Sequence, residues 1–375
     1  MSALLKPFFL ALDTSHLTQW IRDSLSRKSA DRQRARAFSE WLKGRGVLPL
    51  LTFHHLEELC AHEDADLVCA RIGFLHSLPF IAWIGDQGPG GVPSMMGAEV
   101  LAAYANPEYN PARVRDTAAA SLIQVGSGEE FLGPAPEQWL ALRGIFLERS
   151  RKARSLVAVA RTDVIDISSK PISELLSGRF RSVDGVRRQL EVMEGTLALD
   201  IIRHGDKRIK EPRSVAADFM KRVADTIGNL PKNAAALVWE SLAAQGVEAS
   251  DVRPDSTVGE VLEYGLFLQQ MRISAGDAGI PFRDLKRSVT MDRVPTWIIS
   301  SGLRRHGPPL KERKGSELID THLACLAAYA NLTLVDKRTL EGFRRARRKV
   351  SGLNLICRGV DRASAYHEVS TLVGT

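Results

Sequence analysis

Phe8-Phe9-Leu10-Ala11-Leu12-Asp13 is an apolar run closed by a carboxylate, and the same pattern returns near the other end of the chain as Leu332-Thr333-Leu334-Val335-Asp336. Short, nearly continuous apolar runs are what strands covered on both faces require, and such strands belong to parallel sheets. Loops leaving the carboxyl ends of parallel strands converge on one crevice. If these two strands are parallel neighbours, Asp13 and Asp336 therefore open onto the same space. Two more acids map there. Val47-Leu48-Pro49-Leu50-Leu51 reads as a second strand, and Glu57 and Glu58 fall in the first turns of the helix that follows it. Asp320 lies on a helix leading into strand 332–335. That helix runs antiparallel to its strand, so its N-terminus, within roughly a turn of Asp320, sits at the same carboxyl edge. Any one of these acids reads equally well as a charge favouring a helix N-terminus. Jointly they read as a cation site, because gathered carboxylates repel one another unless a cation neutralises them. Oxygen-only clusters of this kind suit Mg²⁺ or Mn²⁺ and phosphate chemistry.

Working outward, the first 85 residues alternate as βαβαβ. Thr14 or Ser15 is placed to cap a helix over 16–26, and a second helix over 30–44 ends at Gly44 or Gly46. Strand 47–52 feeds a helix from Phe53 to Cys60, with Phe53, Leu56 and Leu59 on one face, and a third strand spans 79–84. Residues 85–93 are turn-forming and read as a linker, since they lack the Lys-Ser/Thr of a P-loop and the spacing of a dinucleotide fingerprint. From 94 to 300 the periodicity is helical, notably at 137–157, 187–203, 214–227, 233–244 and 257–271, with no strand run long enough to extend a sheet. The α/β pattern then resumes. Ser316 is placed as an N-cap with Glu317 in the first turn, and Ile319, Leu323, Leu326, Ala327 and Ala330 give that helix an apolar face. Strand 332–335, a basic helix over 339–349 and a last strand over 353–357 follow. The expected organisation is one α/β domain split into residues 1–85 and 301–375, interrupted by a mostly α-helical insert at 86–300.

The chain has 375 residues and a formal charge of +7, with pI near 9.3, which favours a polyanionic partner. The basic residues crowd beside the acidic motif: Arg304-Arg305, Lys311, Arg313-Lys314, Lys337-Arg338 and Arg344-Arg345-Ala346-Arg347-Arg348-Lys349. A solvated helix face is the ordinary reading of one such run; their concentration here points to phosphate contacts by Lys337, Arg338, Arg344, Arg347 and Arg348. Cys60, Cys69, Cys325 and Cys357 form no C-x-x-C pair and read as buried or semi-buried thiols in a reducing cytoplasm. His54-His55 has no zinc-ligand spacing and is assigned to packing or support. His62-Glu63-Asp64-Ala65-Asp66 reads as an exposed helix end, and His204-Gly205-Asp206 as a solvated loop. No leader or membrane-spanning pattern is evident, so a soluble cytoplasmic protein is expected.

Leu-Ala-Leu-Asp13-Thr-Ser, Leu56-Glu57-Glu58-Leu59, Glu317-Leu-Ile-Asp320-Thr-His-Leu-Ala and Leu-Thr-Leu-Val-Asp336-Lys-Arg-Thr, in that order, resemble the PIN-like domain nucleases, which include toxin ribonucleases. The resemblance covers the first 85 residues and the last 75 and says nothing of the middle. It implies a three-layer α/β/α sandwich with a central parallel sheet, and hydrolysis of a phosphodiester, RNA rather than DNA, by water activated on Mg²⁺ or Mn²⁺. Asp13, Glu58, Asp320 and Asp336 are the implied metal-binding and catalytic acids. Glu58 fits better than Glu57 because a leucine follows it. Thr14 or Ser15 is the implied hydroxyl supporting the first acid, and Glu57 and Glu317 stand beside the motif as supporting carboxylates. The long insert departs from the small members of the family and suggests a regulatory protein partner. The competing readings are a structure-specific DNA nuclease, a non-catalytic RNA-binding or assembly protein that keeps the fold, and phosphoryl transfer to a small molecule.

Overall fold

The computed structural model describes residues 7–85, 92–160, 168–177, 183–227, 239–240, 242–253, 255–308 and 314–373. Its centre is a mixed, mostly parallel six-stranded sheet: β1 (Phe8–Ala11), β2 (Val47–Leu51), β3 (Ile81–Ile84), β4 (Ile123–Gly126), β5 (Leu332–Leu334) and β6 (Gly359–Asp361), in spatial order β4-β3-β2-β1-β5-β6. β1 lies between β2 and β5, parallel to both, with Leu10 opposite Leu332 and Ala11 opposite Thr333. The two strand runs on which the reading rests are thus neighbours. After β1 the chain steps outward through β2 and β3, then returns on the other side of β1 as β5 and β6. The strand order therefore reverses between β1 and β5, and the crevice beyond the carboxyl ends at such a reversal is the usual ligand position in an open α/β sheet.

Alternate strand residues feed two apolar cores, one per face. Leu10, Leu51, Ile81 and Leu334 pack with Leu17, Trp20 and Leu56. Ala11, Leu50, Ala82 and Val335 pack with Met95, Ile299 and Leu326. Helices cover both faces, which is why the strands read as unbroken apolar runs.

Several expectations are corrected. The 94–300 region does supply a strand, β4, which pairs antiparallel to β3 and makes the sheet mixed. β4 is a four-residue edge strand with Val125 exposed, so it has almost no apolar signature. Residues 353–357 are not a strand: Gly352–Ile356 is a helix, and β6 follows at Gly359–Asp361. Leu353 and Ile356 are buried one helical turn apart while Leu355 is exposed, the reverse of strand alternation. The span 137–157 forms two helices, Glu137–Ala141 and Arg143–Ala160, with a one-residue break at Leu142. The helix expected over 16–26 is Thr14–Ser24 and the basic helix is Lys337–Arg347, both starting early because Asp13 and Asp336 are themselves the N-caps. Gly46, in the left-handed region at φ 61°, ends the Ser29–Arg45 helix. Most of 85–93, most of 233–244, and Lys311 and Arg313 lie outside the described residues.

The chain divides into two compact units: Met1–Ser150 with Arg287–Pro309 and Ile319–Thr375, and Arg151–Lys286 with Leu310–Leu318. The insert is therefore smaller than residues 86–300. The helices Val92–Ala105, Pro111–Leu122 and Pro295–His306 belong to the sheet-containing unit, where Met95, Ala118 and Ile299 complete one core. In the second unit, Val183–His204 and Pro212–Ile227 are helical, and Val258–Ala278 starts at a Thr257–Glu260 capping box. Asp206 there is buried rather than solvated; Arg208 and the Gly315 amide hydrogen-bond its carboxylate and hold it well below the usual carboxylate range.

Candidate active site at the switch point

Asp13 follows β1, and its Oδ1 accepts the Ser15 amide at 2.7 Å, capping the Thr14–Ser24 helix. Asp336 stands two residues past β5, and its Oδ1 accepts the Thr339 amide at 2.6 Å, capping Lys337–Arg347. An N-cap carboxylate satisfies a helix end with one oxygen. In both residues Oδ2 accepts no hydrogen bond among the described residues, so each retains an oxygen for a ligand. Thr14 and Ser15 are not the caps that the sequence suggested. Ser15 contributes only its amide, and its side chain is exposed.

Glu58 is delivered by the Phe53–Cys60 helix, and the local sequence fixes how that helix meets β1. Thr52 is its cap, and His55 returns the contact as the capping-box partner. The fully buried His55 ring accepts the Thr52 amide at Nδ1 (3.0 Å) and donates from Nε2 to the Leu12 carbonyl (2.9 Å), one residue before Asp13. Burial pushes the imidazole down to about 4, so it stays neutral with the tautomer this bridge needs. His55 thus ties the helix bearing Glu58 to the strand bearing Asp13.

The four sequence-predicted acids of Asp13, Glu58, Asp320 and Asp336 share one electrostatic neighbourhood. Asp320, on the Glu317–Ala324 helix, is pushed up to about 8, first by burial and then by repulsion from Glu58, Asp13 and Asp336; Arg338 opposes the rise. Glu58 is pushed up to about 7, again first by burial, with Asp13 and Glu57 adding to it. The Thr14 hydroxyl opposes that rise, although its oxygen completes no hydrogen bond. The donor chemistry, four carboxylates whose negative charge is incompletely neutralised, fits a hard divalent cation. The side chains are not drawn into a finished cage: among the described residues, no group of three or more His, Cys, Asp or Glu is positioned to hold a metal ion. Close approach of four carboxylates without a cation between them is unfavourable, which accounts for a neighbourhood gathered by the backbone while its side chains stay apart.

Glu57 turns away from this group. It is buried, its Oε2 lies 3.3 Å from His54 Nδ1 and its Oε1 3.1 Å from Arg149 Nε. Burial raises its carboxyl, but the His54 hydrogen bond and the Arg149 charge outweigh that and hold it below the usual carboxylate range. His54 packs on His322, ring centroids 4.6 Å apart, and burial pushes His322 down to about 3. Of this His54–Glu57–Arg149–His322 group, the sequence marks His54 and Glu57 as supporting residues but gives no role to Arg149 or His322. His322 stands two residues past Asp320, but no spacing rule connects Arg149. Glu317 opens the Asp320 helix, is buried and belongs to the second compact unit.

The basic helix is partly structural. Arg347, expected to touch nucleic acid, donates from Nη2 to the Cys357 and Arg358 carbonyls at 3.3 and 2.9 Å, holding the approach to β6. Arg345 pairs with Glu341 at 2.8 Å. Lys337, Arg344 and Arg348 are exposed, and Arg338 is half-buried beside Asp320. The misplaced last strand also concealed Asp361, which ends β6 at the same sheet edge; its Oδ1 accepts the Arg362 amide. Cys60, Cys325 and Cys357 are buried and Cys69 is exposed, correcting the expectation for that thiol. No described helix is long and apolar enough to cross a membrane.

Comparison with known proteins returns no matching family model, no matching curated protein and no matching solved structure.

Proposed function

We propose that this chain is a metal-dependent phosphodiester hydrolase of the PIN-like kind, acting on RNA. The observation that carries the reading is that Glu58, Asp13 and Asp336 all bear on Asp320 at the strand-order reversal between β1 and β5. Structural ion pairs place opposite charges together; four carboxyl groups at a sheet's ligand-binding edge suit a divalent cation, which in turn can hold a phosphate.

Asp13, Glu58, Asp320 and Asp336 would hold Mg²⁺ or Mn²⁺, which when bound supplies a water of lowered pKa and neutralises charge developing on the phosphate. The residues divide the remaining work. Asp13 and Asp336, each anchored through Oδ1 to a helix amide, present carboxylates whose positions are set by the ends of β1 and β5. Glu58 and Asp320 have carboxyls that can keep a proton near neutral pH and release it when a cation arrives. His55 sets the distance between the Glu58 helix and Asp13 and is a positioning residue. Arg338 lies close enough to Asp320 to oppose its raised proton affinity, and it would offer a positive charge to an incoming phosphate. A cytoplasmic location, and a protein partner for the second compact unit, fit this reading.

The test is incubation of the purified chain with labelled single-stranded and duplex RNA and DNA, in Mn²⁺ and in EDTA, beside Asp13→Asn. Cleavage of RNA that requires Mn²⁺ and vanishes in the variant is the expected result. Preferential cleavage of branched duplex DNA would move the substrate class. Tight RNA binding without cleavage under any metal would replace the enzyme reading with the binding-protein one.

A further inference from the structure

The Lys337–Arg347 helix and the segment after β6 enclose a half-open cavity of about 510 Å³, lined in part by Lys337, Arg344, Arg345, Arg362, Glu341 and Glu368. Four cations face two carboxylates, and the carboxylates are engaged. Glu341 takes the Arg345 guanidinium at 2.8 Å, and Glu368 accepts the Ser364 amide at 2.9 Å. Lys337, Arg344 and Arg362 make no ion pair among the described residues. Three cations outside any ion pair among the described residues, on a concave wall lined also by Ser364, form a surface suited to an anion with several oxygens.

The wall is held in place. Lys337, Glu341, Arg344 and Arg345 share one helix face at three- and four-residue spacing. The facing segment is pinned by His16 Nε2 on the Ala363 carbonyl at 3.0 Å and by the Tyr366 hydroxyl on Asp23 at 3.0 Å, while Arg347 holds the backbone entering β6. The cavity begins at Lys337, the residue after Asp336. By helical rise, Arg344 lies about 12 Å along the axis from Asp336, roughly three to four nucleotides of a stacked strand.

We infer that this cavity is a backbone-phosphate subsite, in which Lys337, Arg344 and Arg362 take phosphates of a single-stranded RNA a few nucleotides from the bond held at the carboxylates. The inference rests on the nuclease reading for the identity of its ligand. It also separates the basic helix by role: Arg344 and Lys337 contact substrate, Arg347 braces the wall, and Arg362, invisible in any basic run, joins the site from another segment.

The experiment is fluorescence anisotropy of a labelled single-stranded RNA on the full chain in EDTA, titrated with salt, for wild type, Arg344→Ala/Arg362→Ala, Arg344→Lys/Arg362→Lys and Arg45→Ala. Arg45 is an exposed cation on another helix, and twice the effect of its loss sets the net-charge background for the double variant. Two lost phosphate contacts should flatten the slope of log K against log salt by about 1.4 and weaken binding by roughly tenfold or more. The lysine pair should retain most of both, because the contact is coulombic. A double alanine variant whose losses of affinity and slope are no more than twice those of Arg45→Ala would overturn the subsite. A parallel cleavage assay in Mn²⁺ keeps the two readings apart: absent cleavage with the binding loss intact would sink the hydrolase and leave the subsite standing.

Discussion

Replacing Asp320 by Asn gives the sharpest test of the gathered acids. Unfolded, the side chain titrates near 3.8; folded, burial and three neighbouring carboxylates push it to about 8. The folded chain therefore holds a proton that the unfolded chain gives up between those values. Stability that is fully present below about pH 4 is lost progressively as pH rises to about 8. About four units at about 1.4 kcal/mol each set a ceiling of about 6 kcal/mol. Asp320 is only partly buried, and its proton is shared in effect with Glu58, so about 2–4 kcal/mol is the reasonable magnitude. Asparagine carries no charge at any pH and escapes this loss. At pH 8 in EDTA the variant should melt higher than wild type by on the order of 5–10 °C, and the two should converge near pH 4.5. The assay is a set of circular-dichroism or calorimetric melts from pH 4.5 to 8.5, repeated with Mg²⁺ and Mn²⁺. Added cation should raise the wild-type melting temperature and leave the variant nearly unchanged. Melting curves that stay parallel across the pH range would show that Asp320 does not repel its neighbours, and the site would fall with it.

Asp13→Asn and Asp336→Asn should abolish cleavage while changing stability by less than about 0.5 kcal/mol, because Asn caps a helix as well as Asp does; urea melts beside activity assays check this, and activity retained in both rules out the assignment. His55→Ala removes both ends of a buried bridge and should cost about 2–4 kcal/mol in urea denaturation, with cleavage falling further than stability alone explains. If its stability matches wild type, the bridge to Leu12 is not what joins helix to strand. Glu99, fully buried and accepting the Tyr329 hydroxyl at 2.6 Å and the Thr296 amide at 2.8 Å, is pushed up to about 7 by burial. Its folded value is raised, so stability is lost as pH climbs from about 4.5 to about 7, by about 3 kcal/mol. Glu99→Gln should match wild type at pH 4.5 and exceed it at pH 8; a variant less stable at every pH would show that the ionised form is the one the site prefers.

How far the sequence could be read depended on how many faces each element buries. β1, β2, β3 and β5 are covered on both sides, and their apolar runs stand out without any alignment. β4 lies at an edge with Val125 exposed and looks like a helix end or a turn. The 353–357 segment was misread because Leu-Asn-Leu-Ile-Cys is apolar enough for a strand, and only the burial of Leu353 with Ile356, not Leu355, tells the helical period. The four acids were readable because strand ends fix their location. Glu57 and Glu58 could be told apart only weakly, although one helical step sends them to different surroundings. Arg149, Arg362 and Tyr366 had no sequence signal, since each reaches its partners from a distant segment through tertiary packing.

The two pairs of acids differ in how they are held, and that difference bears on how such a site can exist in a stable fold. Asp13 and Asp336 each anchor one oxygen to a helix amide, the N-cap contact that ties each carboxylate to the start of its helix. Both are fixed by the ends of adjacent strands. Glu58 and Asp320 carry the raised proton affinities, and neither has an anchoring amide among the described residues. The electrostatic conflict is therefore concentrated in the two side chains borne on helices, which can relieve it by taking up a proton. Strand-borne acids define where a cation would sit; helix-borne acids respond to its arrival. If so, removing one of the second pair should stabilise the chain, while removing one of the first pair to alanine should destabilise it by about 1 kcal/mol through the lost cap. Opposite signs for Asp320→Asn and Asp13→Ala in the same EDTA melt at pH 8 are the expected outcome, and equal signs would refute this division of roles.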